Sequence, residues 1–403
     1  MIVLWGSPAS SDFTWDLTYK FHSEIINTSA GYSEGYRKFS YPTRELSMTL
    51  GGSGSDAYGQ LANTLCAGST FVLAPMWMLH TRLTAGVSVG ATSFKASTVS
   101  DLYANEYVML FRPYDSVFEV KMVTAIAGTS VMVATAFANE YTPFYAPTSS
   151  TIYNPLTAYV LPCFSGIVEY DQIEFIGGAP GISFKLKVNG GVWSNATIPE
   201  SVSNWTERPW DAKYMQPQIE RIVYGEDNGI LQLRAYPTTA LSTFSGTWHF
   251  LNEDWKSMRE LFFAVKGMYY PFYMPTGVGE LTITKGSDAS DTSIYFNSGM
   301  QYLVDRFSKV RVYSRLENTS QLVTLTGYVS GNEFSCEPLA AEVNEGDRVY
   351  FAPLVRFAKD DLTFSFKGLK ACEVKADFLE VLTQQYPEYA VYNPCSETWE
   401  IES

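Results

Sequence analysis

Apolar and polar residues alternate along much of this chain, and that alternation predicts strands. Phe13, Trp15, Leu17 and Tyr19 are separated by polar residues, the period of a half-buried strand. Ser33 to Gly35 reads as a turn, and 37–50 as a second extended stretch in which Leu46, Met48 and Leu50 alternate. After a Gly/Ser stretch at 51–56 the period changes. Tyr58, Leu61, Ala62 and Leu65 fall on one helical face, with Asp56 as N-cap and Gly68 as stop. A short apolar strand follows at 71–75. From Thr84 the pattern breaks into brief β-runs at 92–94, 107–111, 118–123 and 130–134, with turn signals at Ala104-Asn105 and Ala127-Gly128. Longer strands return at 158–164 and 167–176.

Much of this order recurs. Tyr41-Pro42-Thr43 and Tyr236-Pro237-Thr238 each precede a helical pattern and an apolar run ending in Pro75 or Pro275. In the second half Trp255, Met258, Leu261, Phe262 and Val265 share a helical face, capped by Asn252 or Asp254 and ended by Gly267. Short β-runs follow again at 293–296, 309–313, 321–329 and 348–351, and longer strands at 361–366 and 372–382. Phe144-Tyr145-Ala146-Pro147 and Tyr350-Phe351-Ala352-Pro353 look like matching ends. The spacing between copies grows slowly, as small loop insertions in a duplicated unit would make it. Residues 178–215, rich in Gly, Pro and Trp, read as a connector between the halves.

Composition narrows the function. The 403 residues suffice for two or three domains, and 46% are hydrophobic, enough for a sizeable core. Only 17% are charged, while Tyr (27) and Phe (25) abound. Low charge with many aromatics fits surface buried against partners, and also fits a strand-rich protein. A net charge of −14 argues against gripping a phosphate backbone. The five cysteines, Cys66, Cys163, Cys336, Cys372 and Cys395, form no CxxC pair and are odd in number. They read as reduced, mostly buried small hydrophobes of a reducing compartment. No signal-peptide pattern opens the sequence, and no apolar run is long enough to span a membrane.

The pattern assigns no catalytic, cofactor-binding or metal-ligating residue. His22, His80 and His249 have no His or Cys at ligand spacing, and His249 between Trp248 and Phe250 reads as structural. No HExxH, GxGxxG, P-loop or GxSxG occurs. Asp227-Asn228-Gly229 and the run from Ser287 to Asp291 hold oxygen ligands but lack the calcium-loop pattern, so they read as Asx turns. Trp193, Trp205 and Trp210 form either a sugar-stacking platform or packing for the connector.

The order of parts resembles the tail-tip proteins of tailed bacteriophages, the distal-tail or baseplate-hub class. The resemblance rests on "EGYRKFSYPTRELSM", a helix, "FVLAPMW" and the β insert "VGATSF…DLYANEYVMLF…EVKMVTAIAGTSV", then on "MRELFFAVKGMYYPFYMP" in the second half. It covers roughly residues 17–382, and the Trp-rich connector departs from it. It implies a mainly β chain of two tandem tail-tube-like β-sandwich modules, each with one flanking helix and a small all-β insert. The expected division is 1–83 plus 148–177 and 216–280 plus 354–382 for the modules, and 84–147 and 281–353 for the inserts. The connector at 178–215 and an acidic, aromatic C-terminal arm at 383–403 complete it.

The function implied is structural, without catalysis, cofactor or metal. A ring joins the tail tube to the receptor-binding tip and encloses a channel for DNA. Expected partners are further copies of the chain (a trimer with pseudo-six-fold symmetry, with a hexamer as the other case), the tail-tube protein, and other tip, hub or fibre proteins. DNA is met only in transit, no membrane is entered, and the place is the virion tail tip, assembled in the host cytoplasm. The alternative is an adhesion protein that binds host surface glycan.

Overall fold

A computed structural model of the chain describes residues 2–3, 14–27, 33–37, 42–51, 71–115, 117–143, 156–176, 179–188, 211–225, 231–251, 254–276, 281–298, 308–314, 319–367, 371–381, 390–393 and 398–401. The described residues are mainly β, with one α-helix and one short 3-10 helix among them.

The first half contains β1 (Ile2–Val3), β2 (Thr14–Lys20), a hairpin of β3 (Ser23–Asn27) and β4 (Ser33–Arg37), and β5 (Thr43–Gly51). Trp15, Leu17 and Tyr19 on β2 are buried and the residues between them are not, as alternation on a pleated strand requires. β6 (Phe71–Pro75) leads through a short 3-10 helix at Trp77–Leu79 to β7 (Thr81–Arg82). The short strands β8 (Ser93–Lys95), β9 (Tyr107–Arg112), β10 (Val117–Ala127) and β11 (Ser130–Val133) then build a small β unit. β12 (Tyr159–Ile176) is one long strand. It pairs first with β7 and β9, then with β6, and last with β13 (Ala179–Val188). The small unit and the main sheet of this half therefore share a strand.

The second half opens with a long hairpin of β14 (Asp211–Gly225) and β15 (Leu231–Leu251), followed by α1 (Trp255–Ala264) and β16 (Phe272–Tyr273). A closed barrel comes next, built from β17 (Leu281–Lys285), β18 (Ser293–Phe296), β19 (Lys309–Tyr313), β20 (Ser320–Ser330), β21 (Glu333–Cys336) and β22 (Arg348–Phe351). The chain returns through β23 (Leu354–Phe357), β24 (Asp361–Lys367) and β25 (Ala371–Glu380), and a terminal hairpin joins β26 (Ala390–Asn393) to β27 (Thr398–Ile401).

The hydrogen bonds of the two halves repeat. Val87 and Tyr141 exchange backbone bonds, as do Ser287 and Val343. The Val123 N–H donates to Glu106 and the Ala134 N–H to Met122; Leu325 donates to Ser308 and Glu337 to Thr324. In the main sheet β2–β5–β13–β12 are neighbours in that order, and so are β14–β15–β25–β24. The halves meet where β24 pairs antiparallel with β2, from Thr14↔Lys367 to Lys20↔Asp361.

That meeting is buried in a single core. Trp15, Leu17 and Tyr19 of the first half share one apolar cluster with Phe364, Phe366 and the α1 side chains of the second. The Tyr19 ring lies 4.9 Å from Phe263 on α1 and 5.9 Å from Phe364 on β24, both edge-on. The two small β units keep separate apolar cores.

Helix α1 follows its pattern: Trp255, Met258, Leu261 and Phe262 are buried, and Val265 just beyond its end is buried too. Asp254 occupies the N-cap position, although its side chain makes no capping bond. Gly267 stops the helix at φ +68, and an added Cβ there would stand 2.5 Å from Asp360 Oδ1 and 3.2 Å from Phe21 Cβ. Gly267→Ala is expected to cost about 1–3 kcal/mol. The readout is a lower urea midpoint with an unchanged slope; an unmoved midpoint would show that the turn yields freely.

Three expectations change. Within the expected connector, 179–188 is strand β13 and 211–215 begins β14. Ile182, Phe184, Leu186 and Val188 do alternate with polar residues, but Gly177-Gly178 and Pro180-Gly181 hid the pattern. Ser33 to Gly35 is strand, not turn, because it pairs with 25–27. Residues 350–352 correspond to 161–163, since Phe351 accepts from Thr276 as Pro162 accepts from Met76. The match to Phe144-Tyr145-Ala146-Pro147 therefore fails, and those residues lie outside the described ones. Part of the C-terminal arm pairs with itself as the β26–β27 hairpin. The helix expected at 56–68 lies outside the described residues.

Candidate functional site

Among the described residues, a cluster of buried charge lies where the first β unit, the first-half sheet and α1 converge. Asp101, on the segment before β9, accepts from Arg259 Nη1 at 2.6 Å and from Lys256 Nζ at 2.7 Å, both on α1. Arg44 on β5 pairs with Glu106 at 2.6 Å and stacks 4.4 Å from the Phe164 ring. The Arg259 guanidinium lies 5.1 Å from the Trp255 ring. Burial alone would raise the Asp101 pKa, but the charges of Arg259 and Lys256 outweigh it and hold the carboxyl down at about 2. Burial pushes the Tyr103 and Tyr19 hydroxyls well above the usual phenol range.

This cluster is a clamp. Tyr19, Arg44, Leu79, Asp101, Tyr103, Phe164 and Arg259 enclose no space that a water molecule could enter. A general acid or base needs a pKa near the working pH and reach to a substrate; Asp101 has neither.

A second acidic site is also structural. Glu119 on β10 accepts from the Ala138 and Asn139 backbone N–H groups at 3.0 and 2.7 Å, from Asn139 Nδ2 at 2.9 Å, and from the Tyr141 hydroxyl at 3.2 Å. Lys121 stands 2.9 Å away. Burial opposes ionisation, but these donors hold the Glu119 pKa down at about 2. The equivalent position in the barrel is Gln321, whose Oε1 accepts from Ala340 and Ala341 at 3.0 and 3.2 Å. An amide and a carboxylate fill the same place and tie down the same loop, so no proton chemistry is required of it.

The sequence candidates are dispersed. His80 Nδ1 lies 2.8 Å from the Trp77 carbonyl, and His249 Nδ1 lies 3.9 Å from Glu373. His249 is exposed between buried Trp248 and Phe250, as strand alternation dictates. Cys163, Cys336 and Cys372 are free and buried. Burial raises all three thiols, with Cys336 at about 11. In the run from Ser287 to Asp291, the Asp288 N–H donates to Asp291 Oδ2 at 2.9 Å and the Asp291 N–H to the Asp288 carbonyl at 3.1 Å, so the side chain reaches back three residues to close the turn rather than forward two as an Asx turn would. Among the described residues no group of three His, Cys, Asp or Glu is placed to hold a metal ion, and no helix is long and apolar enough to cross a membrane. Cys66, Cys395, Asp227 and Trp193, Trp205 and Trp210 lie outside the described residues.

What remains is the outline of the main sheet. Among the described residues, β14 pairs only with β15, and the last part of β12, residues 168–176, pairs only with β13. Among the described residues each of these edges is unpaired, and an unpaired edge is a ready template for another strand. No alternation or motif marked these edges, because edge status is fixed by strands far away in sequence. No protein-family model matches the chain, and no curated protein is similar enough to identify a relative.

Proposed function

We propose that this chain is a structural protein of a bacteriophage tail tip or baseplate. It forms a ring, a trimer with pseudo-six-fold symmetry, that joins the tail tube to the tip and surrounds a channel for DNA. One observation carries the reading: two halves with the same strand order are already joined edge to edge by β24 and β2. Three such chains supply six similar units, and a head-to-tail contact that closes makes a ring. The chain's net charge of −14 fits a wall past which DNA slides without sticking. The protein acts through its contacts, with no catalytic step. The partners are its own copies, the tail-tube protein and other tip proteins, and the setting is the virion.

Light scattering is expected to give about three times the 45.0 kDa chain mass, and end-on electron micrographs a six-lobed ring. Six copies would overturn the trimer. A monomer at every concentration, with tail-tube protein present, would overturn the ring.

A further inference from the structure

We propose that one copy of this chain joins the next by antiparallel pairing of β14 with the last part of β12, in the register Asp211↔Ile176 to Gln216↔Asp171. The proposal rests on the ring reading above and adds the contact that closes it.

The internal junction has a counterpart at the two outer edges. Strands β13 and β25 are both 10 residues long and occupy the same place in their halves. Their first residues pair with the last residues of β12 and β24, Ala179 with Ile176 and Ala371 with Lys367. Ile176 is thus the counterpart of Lys367. On the other side, Gly181 pairs with Gly51 and Glu373 with His249, so β5 and β15 correspond. Met48 pairs with Trp15, and its counterpart Gly246 pairs with Ala212. Ala212 is thus the counterpart of Trp15, and Asp211 of Thr14.

Within the chain, Trp15 pairs with Phe366 and Leu17 with Phe364. The counterpart pairs are Ala212 with Phe175 and Tyr214 with Ile173. Those four residues are unpaired on their outer side among the described residues. They are apolar or aromatic, as the equivalent core-facing positions of the internal junction are. The alternate positions set Lys213 opposite Glu174, residue types of opposite charge, which favours this register across strands. A slip by one residue would exchange the two sets of faces and place like with unlike. Pro217 falls at the end of the paired segment, where a missing N–H interrupts nothing before it. A junction from β14 to β12 also leaves each copy with one free edge of each kind, so addition continues until the ring closes.

The test uses the full chain and disulfide trapping. Lys213→Cys with Glu174→Cys is expected to give, on mild oxidation, covalent multimers ending at the native ring mass. Thr18→Cys with Thr363→Cys, whose hydroxyls lie 2.9 Å apart across the internal junction, is expected to close within one chain without adding mass. Lys213→Cys with Ile173→Cys places the thiols on opposite faces and is expected to trap at least tenfold less. A ring of native mass that traps only the internal pair would overturn this junction while leaving the ring reading standing. Equal trapping by the control pair would overturn the register. A dimer that stops growing, trapped by Lys213→Cys alone, would show β14 pairing with itself and overturn the proposal. A monomer would overturn both the junction and the ring.

Discussion

Asp101→Asn is expected to remove about 3–5 kcal/mol of folding stability at neutral pH. The substitution keeps the shape of the side chain and deletes its charge. Arg259 and Lys256 then lose the carboxylate that pairs with both of them; their side chains are only 7% and 13% exposed. A pair broken on one side leaves an uncompensated charge, which costs more than the pair itself contributes. Replacing both partners, Asp101→Leu with Arg259→Met, is expected to cost less than the sum of the single changes. Urea midpoints of the four proteins measure this cycle; additive losses would deny the coupling.

Acid supplies an independent check. The folded Asp101 carboxyl is held at about 2, below its ordinary value of about 3.9. A depressed carboxylate contributes stability that is present above pH ~4 and is lost as pH falls toward 2. The gap between wild type and Asp101→Asn is therefore expected to shrink by roughly 2–3 kcal/mol across that window. A constant gap would mean that the carboxyl does not titrate there.

This cluster also marks the limit of what the chain's pattern discloses. Strand alternation was plain at Trp15, Leu17 and Tyr19, and a 3.6-residue period was plain in α1, because neighbours in sequence share those elements. Asp101 and Arg259 lie 158 positions apart, and no local period reports such a contact. The same holds for the β24–β2 junction, where register depends on strands from opposite ends of the chain. Strand β13 was missed for a different reason. Its alternation is local, but Gly and Pro at its start read as punctuation, and only its position between β5 and β12 makes a strand of it. The edges that β14 and β12 leave unpaired among the described residues were invisible for the complementary reason: edge status depends on strands far away in sequence, and local sequence carries no mark of it.

Trp255→Ala is expected to cost about 3–5 kcal/mol, the range for removing a large buried aromatic. Trp255 is fully buried at the start of α1, and its ring stands 5.2 Å from Phe364 and 5.1 Å from Phe366 on β24. Its indole N–H meets no acceptor among the described residues, so the residue acts through volume and ring contacts alone. Trp255→Phe keeps a ring and deletes the unpaired donor, whose burial is itself unfavourable, and is expected to cost under about 1.5 kcal/mol. Equal losses in the two variants would show that the N–H matters. The location of the damage is as informative as its size. Helix α1 covers the junction between halves, with Trp255 on β24 and Phe263 against Tyr19 of β2. The closed barrel from β17 to β22 has its own apolar core. Amide exchange in Trp255→Ala is therefore expected to speed up in β2 and β24 together, while the barrel keeps its protection. Loss of protection in all three would mean that barrel and sheet unfold as one unit. Loss in β24 alone would mean that the junction survives without its helix, and that backbone pairing between edges suffices to hold the two halves together.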